Sequence, residues 1–179
     1  MSKLKRPAPV KLVMSLLSSD LTMMAKVMEA LAHRFGEPDI ISRCYPFHYT
    51  NYYEREMGAG LARRMVSFAP LVPPDNLPGI KVTTTELEEE WAKEGKRTVN
   101  IDPGYMALAH FILATGKGYA HRPYLGRGVY ADLTLIYQGG DFSFLPWTYP
   151  DYRSPEILDF LRKVRSKYVE QLRREREGE

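Results

Sequence analysis

The first 45 residues constrain the fold most, because two different hydrophobic periods follow each other there. Residues 10–17 form an apolar run of the length expected for a β-strand. After Asp20, which can cap a helix, apolar residues recur with the 3.6-residue period of one helix face as far as Gly36. A second extended segment follows at residues 39–45. This order predicts a β-α-β unit at the start of the chain.

Residues 50–101 are predicted to continue the alternation of strands and helices. A short helix from Thr50 to Met57, a strand at residues 61–69 and a proline-rich loop at residues 70–79 come first. A helix from Thr85 to Trp91 and a strand at residues 98–101 follow, since Thr85 and Glu88 have the spacing of a capping box. Without the short helix, the order is β-α-β-β-α-β, which is the ferredoxin-like arrangement.

The second half of the chain predicts a buried helix, three strands and a final helix. Asp102-Pro103 has the acidic cap and first-turn proline of a helix start, and the following "GYMALAHFILAT" is apolar nearly all round. The strands are separated by glycine-rich turns. They are expected at residues 118–125, 129–138 and 142–147, and the last helix begins near Ser154. We therefore expect an α+β fold with a mixed, mostly antiparallel sheet.

Length and composition limit the function classes. The 179 residues indicate a single domain with an ordered core from about residue 9 to 170 and a charged C-terminal tail. No apolar run approaches the roughly 20 residues that span a bilayer. One cysteine, Cys44, fits the reducing cytoplasm. A net charge of +3 is too small to indicate nucleic-acid binding without a clustered basic patch.

The pair His121 and Asp132 is the first candidate site. Residues of strand 129–138 alternate between two faces, and a two-residue turn at 126–127 or at 127–128 places His121 and Asp132 on the same face. Tyr130 and Trp147 share that face. A three-residue turn with a bulge at Gly128 would instead separate the pair. The pair can act in proton transfer or bind a metal, or it can be an incidental charge on a solvent-facing strand.

Basic and aromatic residues supply a second group of candidates. Lys117 and Arg122 in "GKGYAHRPY" can bind an anion, although the glycines do not have P-loop spacing. Tyr52 and Tyr53 diverge by about 100° on a short helix, so one can pack in the core while the other reaches a groove.

Two further candidates each have two interpretations. Arg63 and Arg64 are adjacent on a strand, so only one can share the site's face, and we expect Arg64 to be the ligand-binding residue. Asp102 is most simply a helix cap; alternatively it binds a metal or a ligand hydroxyl at a strand end.

Several motifs together resemble a known family. They are "PFHYTNYYEREMG", "VNIDPGYMALAHFILAT", "HRPYLGRGVYADLTL" and "WTYPDY", and the resemblance covers about Pro9 to Tyr168. The chain resembles a bacterial family of uncharacterised single-domain proteins, some of which carry the label GTP-binding protein. The sequence has no P-loop and no Asn/Thr-Lys-x-Asp guanine-reading motif. The resemblance implies no catalytic role for any residue.

These observations predict a cytoplasmic protein that binds a small anionic ligand, phosphorylated or nucleotide-like. His121 and Asp132 would act in any catalysis, and a divalent metal is a candidate cofactor. One alternative is a protein-interaction module or homodimer without catalysis. Another is an RNA-binding sheet, which the ferredoxin-like order favours but which lacks an RNP-type aromatic run.

Overall fold

The computed structural model describes residues 3–178, and within them nine strands form one sheet flanked by helices. Two 3-10 turns precede the third and fourth helices, at Pro74–Asn76 and Pro150–Arg153. The elements in chain order are β1 (Val10–Ser18), α1 (Leu21–Phe35), β2 (Pro38–Ile41), β3 (Tyr45–Pro46), α2 (Glu54–Met57), β4 (Ala62–Val72), α3 (Leu77–Glu90), β5 (Asn100–Met106), β6 (His110–Thr115), β7 (Tyr124–Gly126), β8 (Val129–Gln138), β9 (Asp141–Phe144) and α4 (Pro155–Glu177).

The sheet confirms the expected ferredoxin-like order. Its strands lie in the order β2-β4-β1-β5-β6-β8-β7, with β3 also paired to β4 and β9 also paired to β8. Because β4 lies between β1 and β2, the first six main elements form a split β-α-β arrangement. Every pairing is antiparallel, so the sheet contains none of the parallel pairs that a mixed sheet would have.

Helices cover both faces of the sheet. On one face, α1 and α3 pack against alternate residues of β1, namely Leu12, Met14 and Leu16. On the other face, which we call the α4 face, α4 packs against Val13 and its neighbours on adjacent strands. Every residue of β1 is therefore buried, which explains why this antiparallel strand has a continuous apolar run instead of strict alternation.

The helix expected at residues 102–115 is wrong, because this segment forms the β5–β6 hairpin. Asp102 lies within β5 opposite Ser15 and caps no helix, while Gly104 lies opposite Leu113. The hairpin is buried on both faces, and a sequence that is apolar on both sides of a strand looks like a helix that is apolar all round. The Asp-Pro dipeptide then supplied a false helix start.

Other differences concern the ends of elements. The expected loop at residues 70–79 contains the end of β4 and the start of α3 at Leu77, whose second residue is a proline that suits a helix start. The strand expected at residues 39–45 is divided into β2 and β3. Helix α4 continues to Glu177, through the charged tail that the sequence placed beyond an ordered core ending near residue 170.

Two helix caps agree with the sequence. The Asp20 carboxylate accepts hydrogen bonds from the backbone N–H groups of Thr22 and Met23, and the Ser154 hydroxyl accepts one from Ile157. Among residues 3–178, no helix is both long and apolar enough to cross a bilayer.

A buried lysine fixes the C-terminal half of α4 on the sheet. Lys11 is fully buried, and its Nζ donates to Asp39 at 2.7 Å, to the Phe68 carbonyl at 2.9 Å and to Gln171 of α4 at 2.7 Å. Burial lowers the pKa of Lys11, while the bond to Asp39 opposes that change. These bonds hold the C-terminal half of α4 near the Lys11 end of β1, whereas the polar residue Ser15 and its neighbour Asp102 lie further along β1 on the α4 face.

Candidate functional site

Polar side chains occupy the end of the α4 face that lies beyond the apolar contacts of α4. Ser15 of β1 lies opposite Asp102 of β5, and two residues further along β1, on the same face, Leu17 lies opposite Arg63 of β4. On β8, Asp132 lies opposite Leu113, and Tyr130 is two residues away on the same face. We call the group Ser15, Arg63, Asp102, Tyr130 and Asp132 the polar end.

The structure brings His121 and Asp132 together. The turn between β7 and β8 has two residues, Arg127 and Gly128, which is one of the two alternatives considered from the sequence. A register shift lies between Tyr124 and Gly126, however, and His121 lies in a turn before β7, so its contact with Asp132 does not follow from strand pairing. The His121 Nε2 atom lies 3.6 Å from Asp132 Oδ2, and the imidazole stacks on Trp147 with ring centroids 4.6 Å apart. At 3.6 Å the two atoms are in contact but do not form a hydrogen bond.

The hydrogen-bond partner of Asp132 is Arg122. Its Nε donates to Asp132 Oδ2 at 2.8 Å, its Nη1 to the Lys117 carbonyl at 3.0 Å and its Nη2 to the Tyr149 hydroxyl at 2.7 Å. All three nitrogens of the guanidinium therefore bind protein atoms. Arg122 joins β8 to the loops at residues 117 and 149, which makes it a positioning residue for this site.

Lys117 has no such carboxylate partner. Its Nζ lies 3.1 Å from the Tyr52 hydroxyl and 4.5 Å from the centre of the Tyr52 ring. None of the ion pairs formed among residues 3–178 includes Lys117. Its charge is therefore held at the surface by an aromatic ring, a contact typical of cation–π pairs.

Tyr52 and Tyr53 diverge as the sequence predicted. Tyr52 is exposed beside Lys117, whereas Tyr53 turns inward and its ring stands nearly perpendicular to that of Tyr52, 5.1 Å away. Burial raises the pKa of Tyr53, and the charge of nearby Asp102 raises it further. Tyr53 therefore keeps its hydroxyl proton and presents a neutral donor toward the polar end.

Asp102 reaches solvent although it lies within a central strand. Its side chain is 32% exposed; it accepts a hydrogen bond from Asn100 Nδ2 at 2.7 Å, and Lys81 Nζ is 3.8 Å away. On the other side of β5, burial raises the pKa of Glu88 to about 7. The cap interpretation is excluded by the strand, and the ligand interpretation of Asp102 stays a prediction.

The arginine on the α4 face is Arg63, whereas the sequence argument selected Arg64. Leu16 pairs with Arg64 and packs under α1, so Arg64 lies on the opposite face. Arg63 is buried and forms an ion pair with Asp151, and its guanidinium lies 4.7 Å from the Phe47 ring and 5.4 Å from the Tyr152 ring. Only the register of β4 against β1 decides between the two arginines.

Buried polar atoms without a partner are concentrated at this end. Among residues 3–178, six buried side-chain atoms have no hydrogen-bond partner. Four of them belong to residues at or beside the polar end: Ser15 Oγ, Arg63 Nε, His121 Nε2 and Tyr152 Oη. Because buried polar groups are nearly always hydrogen-bonded, these four atoms are the places where this end of the sheet has unused hydrogen-bonding capacity.

Most of the chain matches a known protein family. Residues 8–168 match the model of a family described as a domain of unknown function (DUF4416). The chain belongs to this family. No curated protein and no solved structure matches the chain. The DUF4416 region contains the whole polar end and every loop that contacts it.

Clefts of this DUF4416 protein lie beside α4 and beside α3. One cleft, of about 310 Å³, lies between residues 43–49 and the start of α4, and a second, of about 490 Å³, lies between the start of α3 and Arg127. Neither is lined by His121 or Asp132. Within the described residues, no three His, Cys, Asp or Glu side chains are grouped as a metal site would require.

Proposed function

We propose that this DUF4416 protein binds a small anionic ligand, phosphorylated or nucleotide-like, at its polar end. The observation that carries the proposal is Lys117, a cation beside the Tyr52 ring and hydroxyl that forms no ion pair with any residue from 3 to 178. An ammonium group binds a phosphate oxygen as a point charge through charge-assisted hydrogen bonds. Lys117 supplies that charge, in the cytoplasm where Cys44 stays reduced.

Exposed rings supply surface for the rest of the ligand. The exposed aromatic side chains of residues 3–178 all lie in three segments, and these segments border the polar end through the contacts Lys117–Tyr52, Arg122–Tyr149 and His121–Trp147. They are Tyr49, Tyr52, Tyr119, Tyr124, Phe144, Trp147 and Tyr149. Planar groups such as nucleobases stack on such rings, at about 1–3 kcal/mol for each stacked base.

Two further side chains have defined roles in this proposal. Asp102, one-third exposed, accepts a hydrogen bond from a ligand hydroxyl. Arg122 does not touch the ligand but fixes the Lys117 backbone and the Tyr149 hydroxyl. The catalytic role of His121 and Asp132 stays a prediction, and the bond from Arg122 to Asp132 competes with it.

The test is a thermal-shift and calorimetric screen of the full chain with inorganic phosphate and nucleoside monophosphates. A ligand at 100 times its dissociation constant stabilises the protein by about 2.7 kcal/mol, which a melting curve detects. Lys117→Ala is expected to weaken binding about tenfold or more, with the melting temperature of the free protein unchanged because Lys117 is exposed.

Lys26→Ala is the matched control, since Lys26 is an exposed lysine on α1, which packs on the opposite face of the sheet. It changes the net charge equally and is expected to leave binding unchanged. A screen without any shift at millimolar concentrations, or equal losses in the two variants, contradicts the proposal. The first result favours an interaction module.

A further inference from the structure

The 310 Å³ cleft beside α4 is a second candidate site, which shares Arg63 and Tyr49 with the surface proposed above but is not lined by Lys117 or Tyr52, the two residues that we call the Lys117 surface. Its walls include the rings of Tyr45, Phe47 and Tyr49. The volume lies at the lower end of the range for small-molecule pockets, which is about 300–1,000 Å³. A cleft of this size and lining fits a small molecule with one apolar or aromatic group.

The base of the cleft contains a buried ion pair. Arg63 from β4 and Asp151 from the turn before α4 are both only 6% exposed, and the Arg63 Nε atom has no hydrogen-bond partner. Two buried charges are stable only when they are paired and hydrogen-bonded, and this pair leaves hydrogen-bonding capacity unused. The base therefore offers a positive and a negative group side by side.

The rim of the cleft also carries one positively and one negatively charged side chain. Arg43 is exposed, with its guanidinium 5.2 Å from the Tyr45 ring, and Glu156 is exposed in the first turn of α4. Neither Arg43 nor Glu156 takes part in any ion pair formed among residues 3–178. The N-terminus of α4, a helix of 23 residues, adds partial positive charge beside Ser154.

This arrangement matches a ligand that carries both charges close together. A ligand with only a negative charge would be repelled by the Asp151 and Glu156 carboxylates, and a ligand with only a positive charge would be repelled by Arg43 and Arg63. A zwitterion pairs its carboxylate with Arg43 and the Arg63 side of the base, and its ammonium with Glu156, Asp151 and the tyrosine faces. From this charge pattern and the aromatic walls, we infer that the cleft binds a free α-amino acid with an aromatic side chain.

Three probes that share one ring test the inference by titration calorimetry on the full chain. L-phenylalanine has both charges, 3-phenylpropionate only the carboxylate and phenethylamine only the ammonium. Phenylalanine is expected to bind at least about tenfold more tightly than either analogue, because each analogue leaves one set of charged partners unpaired. Equal binding of phenylalanine and 3-phenylpropionate, or no heat with phenylalanine up to about 10 mM, overturns the inference.

Rim variants locate the binding without risk to the fold, since Arg43 and Glu156 are exposed. Arg43→Ala is expected to weaken phenylalanine binding about tenfold and leave phenethylamine unaffected; Glu156→Gln is expected to weaken phenylalanine similarly and leave 3-phenylpropionate unaffected. The matched controls Lys26→Ala and Glu29→Gln change exposed charges on α1 and are expected to have no effect. Unchanged phenylalanine binding in both rim variants refutes the assignment.

The inference does not depend on the proposed function. Lys117→Ala is expected to leave phenylalanine binding unchanged, because Lys117 does not line this cleft. Loss of phenylalanine binding in Lys117→Ala would place the amino acid at the Lys117 surface and overturn the assignment to the cleft.

Discussion

Replacing Arg122 separates a structural from a ligand-binding role of this residue. In Arg122→Ala the Asp132 carboxylate, whose side chain is 5% exposed, loses a hydrogen bond of 2.8 Å. Removing one partner of a buried ion pair costs about 3–5 kcal/mol, because the remaining charge stays in a poorly solvated place. His121 remains 3.6 Å from Asp132, so we expect the lower end, about 3 kcal/mol.

The assay is urea denaturation of a double-mutant cycle at pH 7.5. Asp132→Asn removes the negative charge and retains an oxygen that can accept from Arg122. The double variant Arg122→Ala/Asp132→Asn leaves no unpaired charge, so its loss of unfolding free energy is expected to fall about 2 kcal/mol short of the sum of the single losses.

Arg162→Ala serves as the matched control, because Arg162 forms a similar pair with Asp141 on the surface. The two side chains of that pair are 43% and 53% exposed, so the loss of stability is expected to be small. The argument is refuted if Arg122→Ala destabilises no more than Arg162→Ala. Arg122 would then be a surface cation that can bind a ligand, as the sequence suggested.

The remaining predictions concern β5 and its neighbours. Burial raises the pKa of Glu88 from 4.5 to about 7, so the folded state binds the proton more tightly and stability falls as pH rises between these values. Glu88→Gln is expected to remove this pH dependence, so its free energy of unfolding should exceed that of the parent protein by an amount that grows to about 3 kcal/mol by pH 8. Urea denaturation measures both proteins, and a difference in free energy of unfolding that stays constant from pH 5 to pH 8 would contradict the prediction. Gly104→Ala is expected to destabilise by roughly 2 kcal/mol, because a Cβ would lie 2.3 Å from the Ile112 carbonyl oxygen. Calorimetric melting checks it, and Gly116→Ala, where the added Cβ meets open space, is the control.

Local signals in the sequence determined much of the architecture. The capped helix after β1 and the stripe on α4 predict α1 and α4, because a cap and a 3.6-residue apolar period involve only neighbours in the chain. The turn at residues 127–128 has two residues, one of them Gly128, and Arg127 adopts a positive φ of 57° there. The contact between His121 and Asp132 was not determined by this turn, because His121 lies in a separate turn before β7.

Tertiary structure decided the identity of the segment at residues 102–115. Its apolar residues are compatible with both a buried helix and a buried hairpin, and the Asp102-Pro103 dipeptide favoured the helix. The segment is a hairpin because β1 and β8 offer backbone partners on its two sides, and those partners lie about 90 residues away and about 20 residues away in the chain. Because of this pairing, Asp102 lies on the surface of a sheet and does not cap a helix.

Tertiary structure also decided which charges meet. The sequence predicted Lys117, Arg122 and Asp132 as candidate site residues, but the pairing of Arg122 with Asp132 and the lack of an ion-pair partner for Lys117 within residues 3–178 depend on how loops from three parts of the chain come together. Arg63 and Arg64 differ by a single step of strand register, which inverts the face of every residue in β4. Register is set by contacts between strands that are distant in sequence, so the sequence supplies the functional groups and the fold selects which of them share a site.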